Sequence, residues 1–375
     1  MNKKILNINL KQLQKYSFTL GGLFSGVGGF ELGFEKAGFI TKWVVENDRY
    51  AAQTYKHNFK KHLLIEKDIT SIPNKEIKNL DSIDILLAGF PCQAFSIAGY
   101  RKGFQDPRGN LFDEIIRFVE NVKKKPKVLV LENVRNFYSH DEGKTWNYVK
   151  SALAANNYSQ IPMILNTSSS TGIPQNRERA YIVCFKNEGH VTFDIQELHK
   201  RNMSQQKLDL DKKTKSSLFL NKFRSSVFQN KNALDKYIEQ NVTDSQYFYT
   251  KNKFNTRAAT EGYIWDELNR SVKDSETVYQ WRRTGEVRIN KKGEVPTLTA
   301  SMGAGGHNVP IILDGKKIRK LTPRECFNFQ GFPKSFKLPK NMANNQLYKQ
   351  AGNAVSVPLV TKIGKAIHYA IREEI

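Results

Sequence analysis

The 375 residues suffice for one large domain plus a smaller one, and 39% hydrophobic with 25% charged residues exclude a globally disordered chain. A formal net charge of +23 points to a polyanionic partner, nucleic acid first. Apolar runs such as Ile83–Phe90 are too short to span a bilayer, the N-terminus carries no signal-peptide pattern, and three cysteines make no disulfide framework, so no membrane role and a reducing, cytoplasmic compartment are expected.

In chain order, Phe18–Phe24 reads as a strand, Phe30–Ala37 as a helix, Ile40–Val45 as a second strand and Tyr50–Phe59 as a second helix. The short apolar run Leu63–Ile65 follows. Ile83–Ala88 is strand-like, and Leu111–Val122 has amphipathic helical spacing. Val128–Leu131 is a buried strand, Trp146–Ala155 is helical, and Ala180–Phe185 is strand-like. Apolar strands separated by helices predict a parallel sheet covered on both faces. This is a doubly wound α/β domain with ligands at the C-terminal strand ends. Beyond Lys186 the chain turns polar, rich in Asn, Gln, Lys and Ser, yet Tyr247, Phe248, Tyr249, Tyr263, Trp265, Tyr279 and Trp281 recur. That predicts a small irregular domain rather than a linker. A last helix is expected at Leu359–Arg372.

The segment Leu23–Gly33 follows the first strand and opens the first helix. Gly26, Gly28 and Gly29 permit a tight turn and let a ligand approach the backbone. Glu46 stands 20 residues after Gly26 at the next strand end, a spacing suited to gripping ribose hydroxyls. Asp68 is placed to meet an adenine amino group. A dinucleotide fingerprint would need glycine where Glu31 stands, and that departure favours S-adenosylmethionine (SAM), which has no pyrophosphate, over a nicotinamide cofactor.

In Asp84–Ser96, Cys92 sits just past an apolar strand, on a stretch with Gly99, Gly103 and Gly109, where a thiol can act on a ligand. By itself such a cysteine is more often a small buried hydrophobe. Glu132 ends another apolar strand, and Arg177 and Arg179 directly precede a third.

Together these residues resemble the DNA (cytosine-5) methyltransferase family, of the bacterial restriction-modification type. Phe24–Gly29 is similar to its cofactor motif, Gly89–Gln93 to its nucleophile motif, Glu132–Val134 to its carboxyl motif and Gln175–Arg179 to its arginine motif. Arg319–Glu325 with Gln330–Pro333 resembles the motif closing the recognition region, and Gln350–Val355 the last motif. The motifs stand in the family's order across roughly residues 18–186 and 319–370.

The resemblance implies a SAM-dependent methyltransferase sheet, Rossmann-like, and a second, smaller target-recognition domain. Residues 1–186 with 345–375 would be catalytic, and 187–344 the recognition domain and hinge. It implies transfer of a methyl group to C5 of a flipped cytosine in a short duplex DNA site, with Cys92 as nucleophile, Glu132 as proton donor to N3, and Arg177 and Arg179 as stabilisers. Cofactor contacts would come from Phe24, Ser25, Gly26, Gly28, Gly29, Glu46, Asn47, Asp68, Ile69, Gly89, Pro91, Leu111, Asn353, Ala354 and Val355. DNA contacts would come from Gln93, Ser96, Arg101, Arg108, Gln280, Arg282, Arg283 and Thr299. The product is S-adenosylhomocysteine, no metal is expected, the state is a monomer, and a cognate endonuclease would act separately. Three alternatives stay open: a transfer-RNA methyltransferase, a catalytically silent DNA-binding protein on this scaffold, and a nicotinamide oxidoreductase.

Overall fold

The computed structural model describes residues 17–91, 111–187, 214–225, 233–251, 262–282, 284–291, 293–303 and 309–372. Along the first half run β1 (Thr19–Leu23), α1 (Gly29–Glu35), β2 (Ile40–Val45), α2 (Arg49–Asn58), β3 (Leu63–Ile65), α3 (Asn74–Asn79), β4 (Ile85–Gly89), α4 (Leu111–Asn121), β5 (Val128–Val134) and α5 (Lys144–Ala155). There follow β6 (Tyr158–Asn166), α6 (Thr167–Thr171), β7 (Gln175–Asn176), β8 (Glu178–Lys186), α7 (Lys215–Arg224) and α8 (Gly262–Ser271). The second half continues with β9 (Tyr279–Trp281), β10 (Val287–Ile289), β11 (Val295–Pro296), β12 (Ile311–Asp314), β13 (Lys317–Lys320), α9 (Pro323–Phe329), α10 (Asn344–Asn353) and α11 (Val357–Arg372).

Seven strands form the main sheet in the order β3-β2-β1-β4-β5-β8-β6. Side chains alternate across it, as the period of two requires. Ile85, Leu87, Val128, Val130 and Val183 face one core with α1, α7 and α11, through Phe34, Phe219 and Ile363. Leu86, Ala88, Leu129, Leu131 and Ile182 face the other with α4 and α5, through Phe118 and Val149. Helices on both faces are the doubly wound arrangement.

The expected all-parallel sheet is corrected at one edge. The first five strands pair in parallel, but β8 runs antiparallel to both β5 and β6. The link from Asn166 to Glu178 holds only the short α6 and β7, too little to carry the chain back across the sheet, so the strands meet as a hairpin does.

The second half builds a four-stranded sheet, β10-β9-β12-β13, with its own cluster around Leu268, Tyr279, Trp281 and Ile311. A further core joins the two halves: Val27, Val44 and Tyr55 pack in one cluster with Val278, Val295, Leu298, Phe327 and Tyr348. The two-residue strands β11 and β7 pair in parallel at this seam.

Candidate active site

The turn after β1 is built by backbone conformations that side chains disfavour. Phe24, Gly26 and Gly28 have φ of 56°, 57° and 87°. The amide of Gly26 donates to Glu46 Oε2 at 2.6 Å, and the amide of Asp48 donates to Glu46 Oε1 at 2.7 Å. The strand-end acid predicted 20 residues away thus ties the glycine loop to β2. Glu46 is buried; desolvation raises its pKa, and the two backbone N–H groups oppose the rise. A Cβ at Gly26 would meet no heavy atom of the described residues within 4 Å, so among these the loop is open there, two residues from half-buried Phe24.

Asn47 donates to Asp68 at 3.3 Å, and both are exposed at neighbouring strand ends. Asp68 also accepts from the amide of Thr70, capping a one-turn helix that begins at buried Ile69. Gly29 lies against Val355, a Cβ there reaching 3.0 Å from Val355 Cγ2, so the last motif does return to the cofactor loop. Ala354 is buried there and Asn353 exposed. Lys349 bridges to Asp48 at 2.7 Å. Leu111 packs against the core behind Phe90 and Phe112.

At the next strand ends, Gly89 is paired with Glu132 across β4 and β5. A Cβ at Gly89 would lie 3.6 Å from Glu132 Oε2. Arg179, from antiparallel β8, places Nε 3.2 Å from Glu132 Oε1. Burial pushes the Glu132 pKa up, against the pull of Arg179 and then Arg177. Pro91 is exposed immediately beyond. Cys92, Gln93, Ser96, Arg101, Arg108 and Arg283 lie outside the described residues.

Arg177 is used differently from its neighbour. It is 2% exposed, and its guanidinium donates to the carbonyls of Leu298 at 2.8 Å, Gly352 at 3.1 Å and Ala354 at 2.8 Å. Desolvation, then Arg179, lowers its pKa to about 9, while Glu132 works the other way. On the recognition side Gln280 is half-buried on β9 opposite Arg288, and Arg282 is exposed at the following turn. Thr299 is exposed, with its hydroxyl 3.3 Å from that of Ser301.

Two residues had been passed over in sequence. Asn133 donates to the Phe90 carbonyl at 3.0 Å and so fixes the chain two residues before Cys92. Its signal was its place beside Glu132 at a strand end. Glu31, read only as a missing glycine, is fully buried and accepts from the Ser25 hydroxyl at 2.7 Å. An acid where helix packing wants glycine was the available clue.

Residues 18–369 match the family model described as C-5 cytosine-specific DNA methylase. The chain is 42% identical over 352 residues to the Type II methyltransferase M.Bsp6I of Bacillus sp. (strain RFL6), covering 93% of this chain and 98% of that protein. It is 34% identical over 357 residues to M.HhaI of Haemophilus parahaemolyticus, covering 95% and 96%. Among solved structures, the S. pombe Dnmt2 methyltransferase superposes with a TM-score of 0.67 at 20% identity, covering 95% of this chain and 99% of that one. A putative DNA modification methyltransferase encoded within an E. coli prophage gives 0.58 at 21%, covering 95% and 99%. These two show a shared fold.

Proposed function

Because the chain belongs to the C-5 cytosine-specific DNA methylase family, we propose that it methylates C5 of a cytosine flipped out of a short duplex DNA site, using SAM. The observation that carries this reading is the group at the end of β4: Glu132 facing Gly89 with Arg179 on its carboxyl, Gly89 standing three residues before Cys92 in the sequence. The charge of +23 suits a DNA substrate, and flipping costs a few kcal/mol of unstacking and unpairing.

In the proposed reaction the Cys92 thiolate forms an S–C6 bond. The ring electrons it displaces are received at N3 with a proton from Glu132, whose pKa burial has raised towards that task. Arg179 orients the carboxyl and offsets charge at the base, with the charge of Arg177 behind it. Bound SAM supplies the electrophilic methyl that C5 takes. Loss of the C5 proton then restores the double bond and expels the thiolate. Asn133, through the Phe90 carbonyl, holds the chain two residues before Cys92 in the sequence. The residues at the loop would suit the cofactor: among the described residues nothing fills the space over Gly26, Glu46 would take the ribose hydroxyls and Phe24 would stack on the adenine. Asn47, Asp68 and the Asn353–Val355 turn would complete the pocket. The Type II names of the relatives support a modification role in a restriction-modification system; a separately acting endonuclease and a cytoplasmic place belong to the same proposal.

The test is a duplex bearing 5-fluorocytosine, incubated with enzyme and SAM. A covalent adduct mapping to Cys92 is expected, and Cys92→Ala should abolish both adduct and turnover. An adduct with transfer RNA alone, or none with any duplex, overturns the reading.

A further inference from the structure

We propose that Arg177 is a positioning residue that couples DNA engagement to cofactor binding, by clamping the recognition segment at Leu298 to the cofactor-side turn at Gly352–Ala354. The inference rests on the SAM-and-DNA reading above.

The three carbonyls it binds come from distant parts of the chain. Leu298 lies 121 positions from Arg177 in sequence, Gly352 175 and Ala354 177. Gly352 is in the last turn of α10, where carbonyls lack helical partners and a cation is favoured. Leu298 lies in an irregular stretch after β11 with the same need. One planar guanidinium with a fixed fork serves both, and its Nε is buried without a hydrogen-bond partner among the described residues. Holding a buried cation on neutral carbonyls is costly, which its lowered pKa reflects. An apolar side chain in its place would leave all three carbonyls without a donor.

The surrounding packing tightens the same joint. A Cβ on Gly352 would overlap the Thr299 carbonyl and the Ala300 nitrogen, so the two backbones touch. Gly303, at φ 86°, lies against Tyr348 of α10. Thr297 donates its hydroxyl to the Asn176 carbonyl at 2.6 Å, joining the recognition segment to the residue before Arg177. Next along the chain, Val355 packs on Gly29 of the cofactor loop. A shift of Thr297–Ala300 on meeting DNA therefore reaches the cofactor loop through a contiguous set of contacts, with Arg177 at its centre.

The measurement is the affinity for S-adenosylhomocysteine, which cannot turn over, with and without a duplex containing the site that the wild-type chain methylates. In the wild type the duplex should tighten binding by a factor of roughly 5 to 150, the usual range of such coupling. Arg177→Met should bring that ratio to within about twofold of one, and Arg177→Lys should restore part of it. A mere loss of structure would weaken both affinities and leave their ratio. Thr297→Val removes one hydroxyl and keeps the falsification open if Arg177→Met does not fold; it should reduce the ratio too. An unchanged ratio in the folded variants, or a wild-type ratio of one, overturns the proposal. A wild type that binds no S-adenosylhomocysteine, or methylates no duplex, overturns the underlying reading instead.

Discussion

Two arginine–glutamate pairs sit in the two halves of the molecule, and they are made for opposite purposes. In the recognition half, Arg319 and Glu325 are both fully buried, joined by two parallel bonds of 2.8 and 2.9 Å. Glu325 also accepts from the amides of Thr322 at 2.7 Å and Glu239 at 2.9 Å, so all of its lone-pair positions are used. Desolvation works against the Arg319 charge, but Glu325 and Asp314 outweigh it and raise its pKa. At the main-sheet strand ends, Arg179 meets Glu132 by a single ion pair of 3.2 Å among the described residues, and the carboxyl is left with a raised pKa. A carboxylate whose acceptors are all satisfied serves structure. One that is dry and under-satisfied can carry a proton to a substrate.

The largest effect should come from Glu132→Gln. The amide keeps the shape but cannot transfer a proton, so kcat should fall about 10²- to 10⁴-fold, with the unfolding midpoint in urea little changed. A stability loss in proportion to the activity loss would erase the contrast between the two pairs.

Next comes Glu325→Ala, which should cost roughly 3–5 kcal/mol of stability because it leaves a buried guanidinium with only the partly exposed Asp314 as an acidic partner among the described residues. Urea denaturation followed by tryptophan emission checks it, reporting through Trp281 of the small sheet. The double change Arg319→Met with Glu325→Leu should recover only part of the loss. It removes the stranded charge, but the amides of Thr322 and Glu239 then lose their acceptor. Full recovery would mean that the four-bond arrangement around Glu325 contributes nothing beyond the ion pair.

The same contrast explains what sequence could convey. Strands β4 and β5 were legible because both sheet faces are buried there and the runs Ile85–Ala88 and Val128–Leu131 are continuously apolar; β1 and β2 were legible through the apolar ends Leu23 and Trp43–Val45 that they bury. Strand β6 was missed because Ser159, Gln160 and Pro162 interrupt its pattern, although Ser159 and Gln160 are buried in the fold. Glu46 and Glu132 could be singled out because each directly follows a readable apolar run. The partners of Arg177 were not, since nothing local marks a carbonyl more than a hundred residues away. The four-stranded sheet escaped for a related reason: its strands are at most four residues long, too short to show a period.

A third buried carboxyl sharpens the comparison at the smallest scale. Glu31 accepts one bond from Ser25, its Oε2 is buried with no partner, and desolvation raises its pKa from 4.5 to about 7. It stands nearer to Glu132 in kind than to Glu325. An acid with a folded-state pKa above its unfolded value binds protons more tightly when folded. Its favourable contribution is therefore complete below pH 4.5, declines as pH rises, and is lost above about pH 7. The span is worth at most about 3 kcal/mol at 1.36 kcal/mol per pH unit. Glu31→Gln mimics the protonated form at every pH. It should leave stability at pH 5 nearly unchanged, raise Tm at pH 8, and flatten the decline between. The Ser25 hydroxyl keeps an acceptor in the variant, so the cofactor loop should hold its form. Equal Tm gains at pH 5 and pH 8 would show that Glu31 is already satisfied as an ion, and would move it to the side of Glu325.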